Sequence, residues 1–269
     1  MTSWLDLAAV LDTAAPEDKT AAALMPGALR LELADWTPPP TRPARPALPV
    51  LISPHRTPRR RLGSERGRVA LIHALAHIEF NAIDLAFDMA LRFAPAVEAL
   101  GLDWRAFVSE WSGVGAEEAS HFSALSGRLA EMGSAYGALP AHDGLWETAA
   151  RTADDVLARL ALAPLVLEAR GLDVTPKLMV DLRAVGDVPT AGILERIYQD
   201  EIGHVAVGAR WFDAVAGVRK LDPAAAFRRL VEERFRSPLK PPFNESARTL
   251  AGLRREFYDP TPAAHDAVR

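Results

Sequence analysis

The chain contains no cysteine, which removes disulfides, thiolate metal sites and cysteine nucleophiles together and leaves nitrogen and oxygen as metal donors. It has no run of about 18 uncharged apolar residues, so no membrane span is expected. Nor does it carry an excess of basic residues. Its 31 Lys and Arg stand against 35 Asp and Glu, a net charge of -4, which argues against a surface built throughout to hold nucleic acid or an anionic membrane. The N-terminal stretch MTSWLDLAAVLDTAAPEDKT lacks a basic leader and places acids within its apolar part, a poor signal peptide. A soluble, cytoplasmic protein is the expectation. Strand signals are equally sparse: segments rich in β-branched residues, such as VLIS, are isolated and pair with nothing nearby.

What remains is helical texture. Residues 1–37 read as one or two short helices, stopped at Trp36-Thr37-Pro38-Pro39-Pro40. Eight prolines between Pro38 and Pro58 impose an extended arm, expected to lie against the rest of the chain through its apolar LPVLIS segment. Beyond Ser64 apolar residues recur three and four apart. A first long helix is expected from Ser64, its N-cap, to Phe93, with no proline until Pro95. A second runs from Asp103 to Met132, and a third from Leu145 to Arg170 with Gly171 as C-cap. A shorter helix spans Pro176 to Val185, and the fourth long one Thr190 to Ala216. Pro223 to Arg236 and Glu245 to Phe257 read as further helical segments, separated by the turn PLKPPFN. Four helices of about 25 residues are what a four-helix bundle needs. The expected organisation is an arm over 1–62, a bundle over 63–217 and a C-terminal helical extension over 218–269.

On a helix, residues i and i+3 lie about 60° apart, so a Glu-x-x-His pair offers a carboxylate and an imidazole to one ion. Two such pairs occur, Glu118-Ala119-Ser120-His121 and Glu201-Ile202-Gly203-His204, each midway along an expected long helix. Each is preceded, one helix earlier, by a lone acid in an apolar stripe. Glu79 stands among Ile72, Leu75, Ala76, Ala82, Ile83 and Ala86; Glu168 stands among Ala161, Leu165 and Leu172. A buried carboxylate is unfavourable unless something compensates its charge, and a cation is one of the few groups that can. The order Glu, Glu-x-x-His, Glu, Glu-x-x-His is the ligand set of dinuclear carboxylate bundles. Glu79, Glu118, His121, Glu168, Glu201 and His204 are therefore expected to hold two metal ions, with Glu118 and Glu201 bridging and Glu79 and Glu168 terminal. Oxygen-rich ligation with two nitrogens suits iron first, with manganese or zinc as alternatives.

The segments GRVALIHALAHIEFNAIDLAFDMALRF, EEASHF, LVLEARGLD and RIYQDEIGHVAVG resemble the ferritin-like family called domain of unknown function 455. The resemblance covers most of residues 40–257, including the proline-rich arm and the segment PPFNESAR, and all six ligand positions fit. It implies an all-α, ferritin-like four-helix bundle with an extended N-terminal arm, additional C-terminal helices and a dinuclear centre, and it supplies no activity. A more distant likeness, to the di-iron tRNA hydroxylases, lies only in the helical ligand pattern.

Other residues admit more than one reading. His73 and His77 share the i, i+4 spacing of a zinc pair, but both point well over 90° from Glu79, and packing against the arm is expected instead. Tyr198, one turn before Glu201, reads as a core residue or as a phenol beside the metals. Asp84, Asp88 and Asp200 read as solvated or paired acids, or as groups that orient ligand imidazoles. Pro164 should kink the third helix, and either widens a pocket at the metals or separates two packed pieces. The basic run His55-Arg56-Thr57-Pro58-Arg59-Arg60-Arg61 lacks interleaved aromatics and reads as a solvated face.

The function expected first is an O2-dependent oxidoreductase of the di-iron oxidase or monooxygenase type, acting on a small-molecule substrate with an external electron donor. The alternatives are a non-catalytic or ferroxidase-like metal-binding protein and an RNA-modifying hydroxylase. Substrate, catalytic residues and oligomeric state are not encoded in any pattern legible here.

Overall fold

The computed structural model describes residues 2–24, 29–235 and 237–259. Ser3 and Asp6 form a capping box that opens α1 (Trp4–Asp12), and Pro16 occupies the first position of α2 (Pro16–Ala23), where its missing N–H is harmless. The proline-rich stretch follows as an extended arm. Its contacts differ from those expected: Leu48, Val50 and Leu51 of LPVLIS are 55%, 56% and 41% exposed, while Pro39, Pro43 and Pro49 are buried. Backbone and charge do the fastening. The Ala44 N–H donates to the Leu11 carbonyl at 2.7 Å, and Ile52 N–H to Ala141 at 2.8 Å. Arg45 pairs with Asp84 at 3.0 Å. An extended segment without internal hydrogen bonds must find partners for its own N–H and C=O groups, and here these set its course more than its apolar side chains do.

Ser64 accepts from the Gly67 N–H and opens α3 (Glu65–Ala99), and Asp103 does the same at Ala106 for α4 (Trp104–Glu131). α3 passes the expected stop at Phe93 and continues through Pro95. Proline has no N–H for the carbonyl four residues earlier, but the Trp36 indole N–H donates to that Leu91 carbonyl at 2.8 Å. α3 is long and apolar enough to cross a bilayer, yet its apolar window is 78% buried inside the protein, as befits a core helix.

The expected third helix is several pieces. α5 (Gly144–Ala150) ends in a turn, and α6 (Val156–Leu162) leads through a wide π-type turn at Ala163–Glu168 into α7 (Ala169–Ala184). Gly171 does not cap, and Pro176 does not begin a helix; both lie inside α7. α8 (Val188–Val218) follows. α9 (Pro223–Leu230) runs into another wide turn at Val231–Phe235, and Arg236, the expected end, lies outside the described residues. The last amphipathic segment is split into α10 (Glu245–Leu250) and α11 (Arg255–Tyr258) by Gly252 at φ 72°, a conformation glycine adopts freely.

The protein is all-α: no strand occurs among the described residues, only the single bridges Thr2 to Leu29 and Leu51 to Ala141. α3 packs along α4 and α7 along α8, and the hairpins close on one another through α4 with α8 and α3 with α6. α1 and α2 cover one side, and α9 to α11 pack beside α6, α7 and α8. Pro164 seats its ring against Gly208 of α8, where an added Cβ would come within 2.4 Å of the Pro164 Cβ. Gly to Ala inside a helix ordinarily gains about 1 kcal/mol, whereas forcing atoms into a filled contact loses about 1–3 kcal/mol. Gly208→Ala is therefore expected to lower the urea midpoint, and a raised midpoint would show that the contact yields.

Candidate metal centre

Glu79 projects from the middle of α3, Glu118 and His121 from α4, Glu168 from the last position of the wide turn before α7, and Glu201 and His204 from α8. Ligand atoms of Glu79, Glu118, His121 and Glu201 lie within 4.8 Å of one another. His204 joins them, its Nδ1 3.0 Å from Glu118 Oε1 and 3.8 Å from Glu201 Oε2. Glu118 stands between the imidazoles, since its other oxygen is 3.3 Å from His121 Nδ1. The rings of His121 and His204 are 5.8 Å apart. Glu168 is not among the four residues whose ligand atoms come within 4.8 Å of one another, but its Oε2 is buried and its carboxyl feels the charges of Glu118 and His204.

These atoms are not engaged with one another in the ordinary way. Glu79 Oε2, Glu168 Oε2 and Glu201 Oε2 are buried without a hydrogen-bond partner, and so are Glu118 Oε1 and His204 Nδ1, which face each other at 3.0 Å as an ion pair outside hydrogen-bond geometry. Buried polar atoms nearly always have partners, so five orphans converging on one region mark a place shaped for a positive ion. The titration behaviour agrees. Burial, followed by the Glu118 charge, pushes the Glu79 carboxyl up to about 8 and the Glu168 carboxyl up to about 7. Burial and then Glu118 also raise Glu201 well above the usual range. Burial opposes a charge on His121, but Glu118 and Glu79 outweigh it and lift the imidazole to about 11. Carboxyls of raised pKa beside imidazolium-like rings are what a cation site looks like when protons stand where the cation would be. A buried Glu/His group able to hold a metal ion is thus present.

Each imidazole is oriented from behind. His121 Nε2 donates to Asp200 at 3.0 Å, and His204 Nε2 donates to Glu117 at 2.7 Å. Both arrangements leave Nδ1 facing the cluster. Asp200 does what one of its two readings allowed. Glu117 was missed, though the sequence carries its trace: in both EEASH and DEIGH an acid immediately precedes the Glu of the pair.

Asp84 and Asp88 orient no imidazole. Asp84 pairs with the fully buried Lys19 and with Arg45, and Asp88 pairs with Arg159 and, at 2.6 Å, with Arg92. The Tyr198 hydroxyl accepts from Asn244 Nδ2 at 3.0 Å. Arg56, Arg59, Arg60 and Arg61 are exposed. His73 and His77 bind chiefly the α4–α5 loop. His73 Nε2 accepts from the Gly137 and Leu139 N–H groups at 3.0 and 3.4 Å. His77 Nε2 donates to the His142 carbonyl, so its Nδ1 accepts from the Tyr136 hydroxyl at 2.9 Å. Both rings must be neutral to do this, and burial pulls each down to about 4. A depressed His pKa stabilises the fold above the unfolded value of about 6.5, and that contribution is lost as pH falls towards 4. His73→Gln, whose amide oxygen can accept without titrating, is expected to lose less stability than the native chain between pH 6.5 and 4. Equal losses in denaturant titrations would refute this account of the loop.

Fold and site together define a class: an all-helical protein with a metal-competent carboxylate and imidazole cluster at its centre. The chain belongs to the family described as Protein of unknown function (DUF455), whose model matches residues 8–259. It is similar to an uncharacterized protein of Haemophilus influenzae, 39% identical over 266 residues that span 95% of this chain and 92% of that one. No solved structure matches the chain significantly.

Proposed function

We propose that this is a ferritin-like, dinuclear non-haem metal protein, iron in its working form, that reacts with O2 to oxidise a small substrate. The observation that carries the reading is the convergence of five orphaned buried donor atoms on one region. Its donor set, carboxylate oxygen and imidazole nitrogen without sulfur, suits iron or manganese. In this reading Glu79, Glu118 and His121 hold one ion and Glu168, Glu201 and His204 the other. Glu118, whose two oxygens face the two imidazoles, and Glu201 would be the carboxylates available to both ions. Two ferrous ions held there would supply electrons to O2, with an external electron donor restoring them.

The chain's own part is positional and acid–base. Glu117 and Asp200 fix each imidazole as the Nε2–H tautomer, so that Nδ1 presents its lone pair inward. Glu79, mostly protonated near pH 7 without metal, and Glu168, about half protonated there, would release those protons when a cation takes their place. The buried residues Trp111, Val114, Phe122, Leu165 and Leu194 keep bulk water away from the cluster. Natively purified protein should contain two metal ions per chain. Anaerobic loading with ferrous iron followed by air should give a visible absorption change; metal-free native protein that takes up no iron would end the proposal.

A further inference from the structure

The segment Pro241-Pro242-Phe243-Asn244-Glu245-Ser246-Ala247-Arg248 is not accounted for by the metal cluster, yet its polar atoms converge on the helices that carry half of it. α7 is poorly equipped to hold itself in place. Of its 16 residues only Ala169, Leu172 and Leu182 are buried, with Leu178 and Met179 packed half-buried on the core, a narrower buried face than those of α3, α4 and α8. It follows directly on the wide turn that ends at Glu168, and Pro176 removes the N–H that would have met the Leu172 carbonyl.

Asn244 fills that gap. One hydrogen of its amide donates to the Leu172 carbonyl at 3.1 Å and the other to the Tyr198 hydroxyl at 3.0 Å. A single nitrogen therefore ties α7 to α8, one turn before Glu201. The rest of Asn244 is fully used as well: its N–H donates to Asp173 at 2.9 Å, and its Oδ1 caps α10 at Ala247. Arg248 closes the grip from α10, with Nε and Nη2 on the two oxygens of Asp173 at 2.9 and 2.8 Å and Nη2 also 3.4 Å from the Ala169 carbonyl, next to Glu168. The guanidinium lies beside the Phe243 and Tyr258 rings, at 5.0 and 4.5 Å from their centroids, and the rings pack on each other at 4.9 Å. The side chains of Asp173 and Arg248 are 0% and 4% exposed. A buried ion pair contributes little net stability compared with an apolar substitute of the same shape, so stability alone is a weak reason for placing one here.

We infer that residues 241–248 form a clamp, with Asn244 and Arg248 as positioning residues, that holds α7 against α8 so that Glu168, Glu201 and His204 keep the geometry needed for the second metal ion. The inference rests on the dinuclear reading above. The other half of the cluster does not need such a device, because α3 and α4 are long core helices with broad buried faces.

The test is an anaerobic titration of the full chain with ferrous iron, counted by equilibrium dialysis, for the native protein, Asn244→Ala, Tyr198→Phe and Trp36→Phe. Trp36→Phe is the matched control, since it removes the same kind of donor from the proline gap in α3. Native protein and Trp36→Phe should bind two ions alike. Asn244→Ala should bind the first ion normally and the second about tenfold to a hundredfold more weakly, the range for losing a group that supports ligands. Tyr198→Phe, which keeps the Leu172 bond, should shift the second ion in the same direction by less, and keeps the test open if Asn244→Ala does not fold. Two unchanged affinities in both α7–α8 variants, or equal weakening of both ions, would overturn the clamp while leaving the metal reading intact. A native chain that binds one ion or none would overturn the dinuclear reading and the clamp with it.

Discussion

Removal of metal from the natively purified chain is expected to lower its melting temperature by roughly 10 °C, with recovery on adding ferrous iron under nitrogen. A ligand present at about a thousand times its dissociation constant stabilises the native state by about 4 kcal/mol, and about 1 kcal/mol moves the melting point of a chain this size by roughly 2–4 °C. The magnitude follows from what the cluster is without metal. Glu79, Glu118, Glu168 and Glu201 keep buried oxygens that no hydrogen bond satisfies, an unfavourable state that a cation relieves. Binding should also depend on pH with a definite sign. Because burial holds Glu79 near 8 and Glu168 near 7, the first is mostly and the second about half protonated at neutral pH, and a metal must displace those protons. Affinity should therefore rise between pH 6 and 8, with protons released on loading, measurable by calorimetry in buffers of different ionisation enthalpy. An unshifted melting point after complete chelation would argue that the cluster is held together by protons alone.

The second large effect is expected away from the Glu/His cluster. Asp88 lies nine residues beyond Glu79 on α3, about 180° around the helix, where it pairs with Arg92 and with the fully buried Arg159 of α6. Arg159 also donates to the Thr152 hydroxyl and the Ala149 carbonyl and stacks over Phe93 at 5.4 Å. Asp88→Ala leaves that guanidinium buried without a counter-charge, and breaking a buried pair in this way costs about 3–5 kcal/mol. The urea midpoint should fall accordingly. A double variant replacing both Asp88 and Arg159 with apolar residues should recover most of the loss. A single variant within 1 kcal/mol of the native chain would show that water, with the Thr152 hydroxyl and Ala149 carbonyl, satisfies the guanidinium once Asp88 is gone.

The group of Glu79, Glu118, His121 and Glu201 was legible in part because pair spacing is a property of the helix itself: three residues place Glu118 beside His121 and Glu201 beside His204 wherever the helix is found. Their approach to one another follows from the lengths of the helices that carry them. The helix ends were less legible, and the reason is specific. Pro95 and Pro176 look like breakers, and each would be if left alone, but Trp36 and Asn244 bring a donor to the carbonyl each proline strands. Those donors stand 55 and 72 residues away from the carbonyls they serve, beyond the reach of any local pattern. The same holds for Asp84 and Asp88, whose roles are decided by Lys19 and Arg159, 65 and 71 residues distant. The arm lies against the helical body, but LPVLIS is held through its backbone, at Val50 and Ile52 against Ala141, with Pro49 buried and Leu48, Val50 and Leu51 turned outward, a division of labour that apolar composition alone does not reveal.

The two acids behind the imidazoles belong to the opposite helix in each case, Glu117 of α4 serving His204 and Asp200 of α8 serving His121. A slip of either helix by one residue is about 1.5 Å of travel and about 100° of rotation. Such a slip would withdraw its own acid from the partner's ring and its own ring from the partner's acid at once. α4 and α8 are thereby keyed to a single relative setting by chemistry, independently of how their apolar faces mesh. Substitutions in the surrounding core can then accumulate without altering which atoms face the centre.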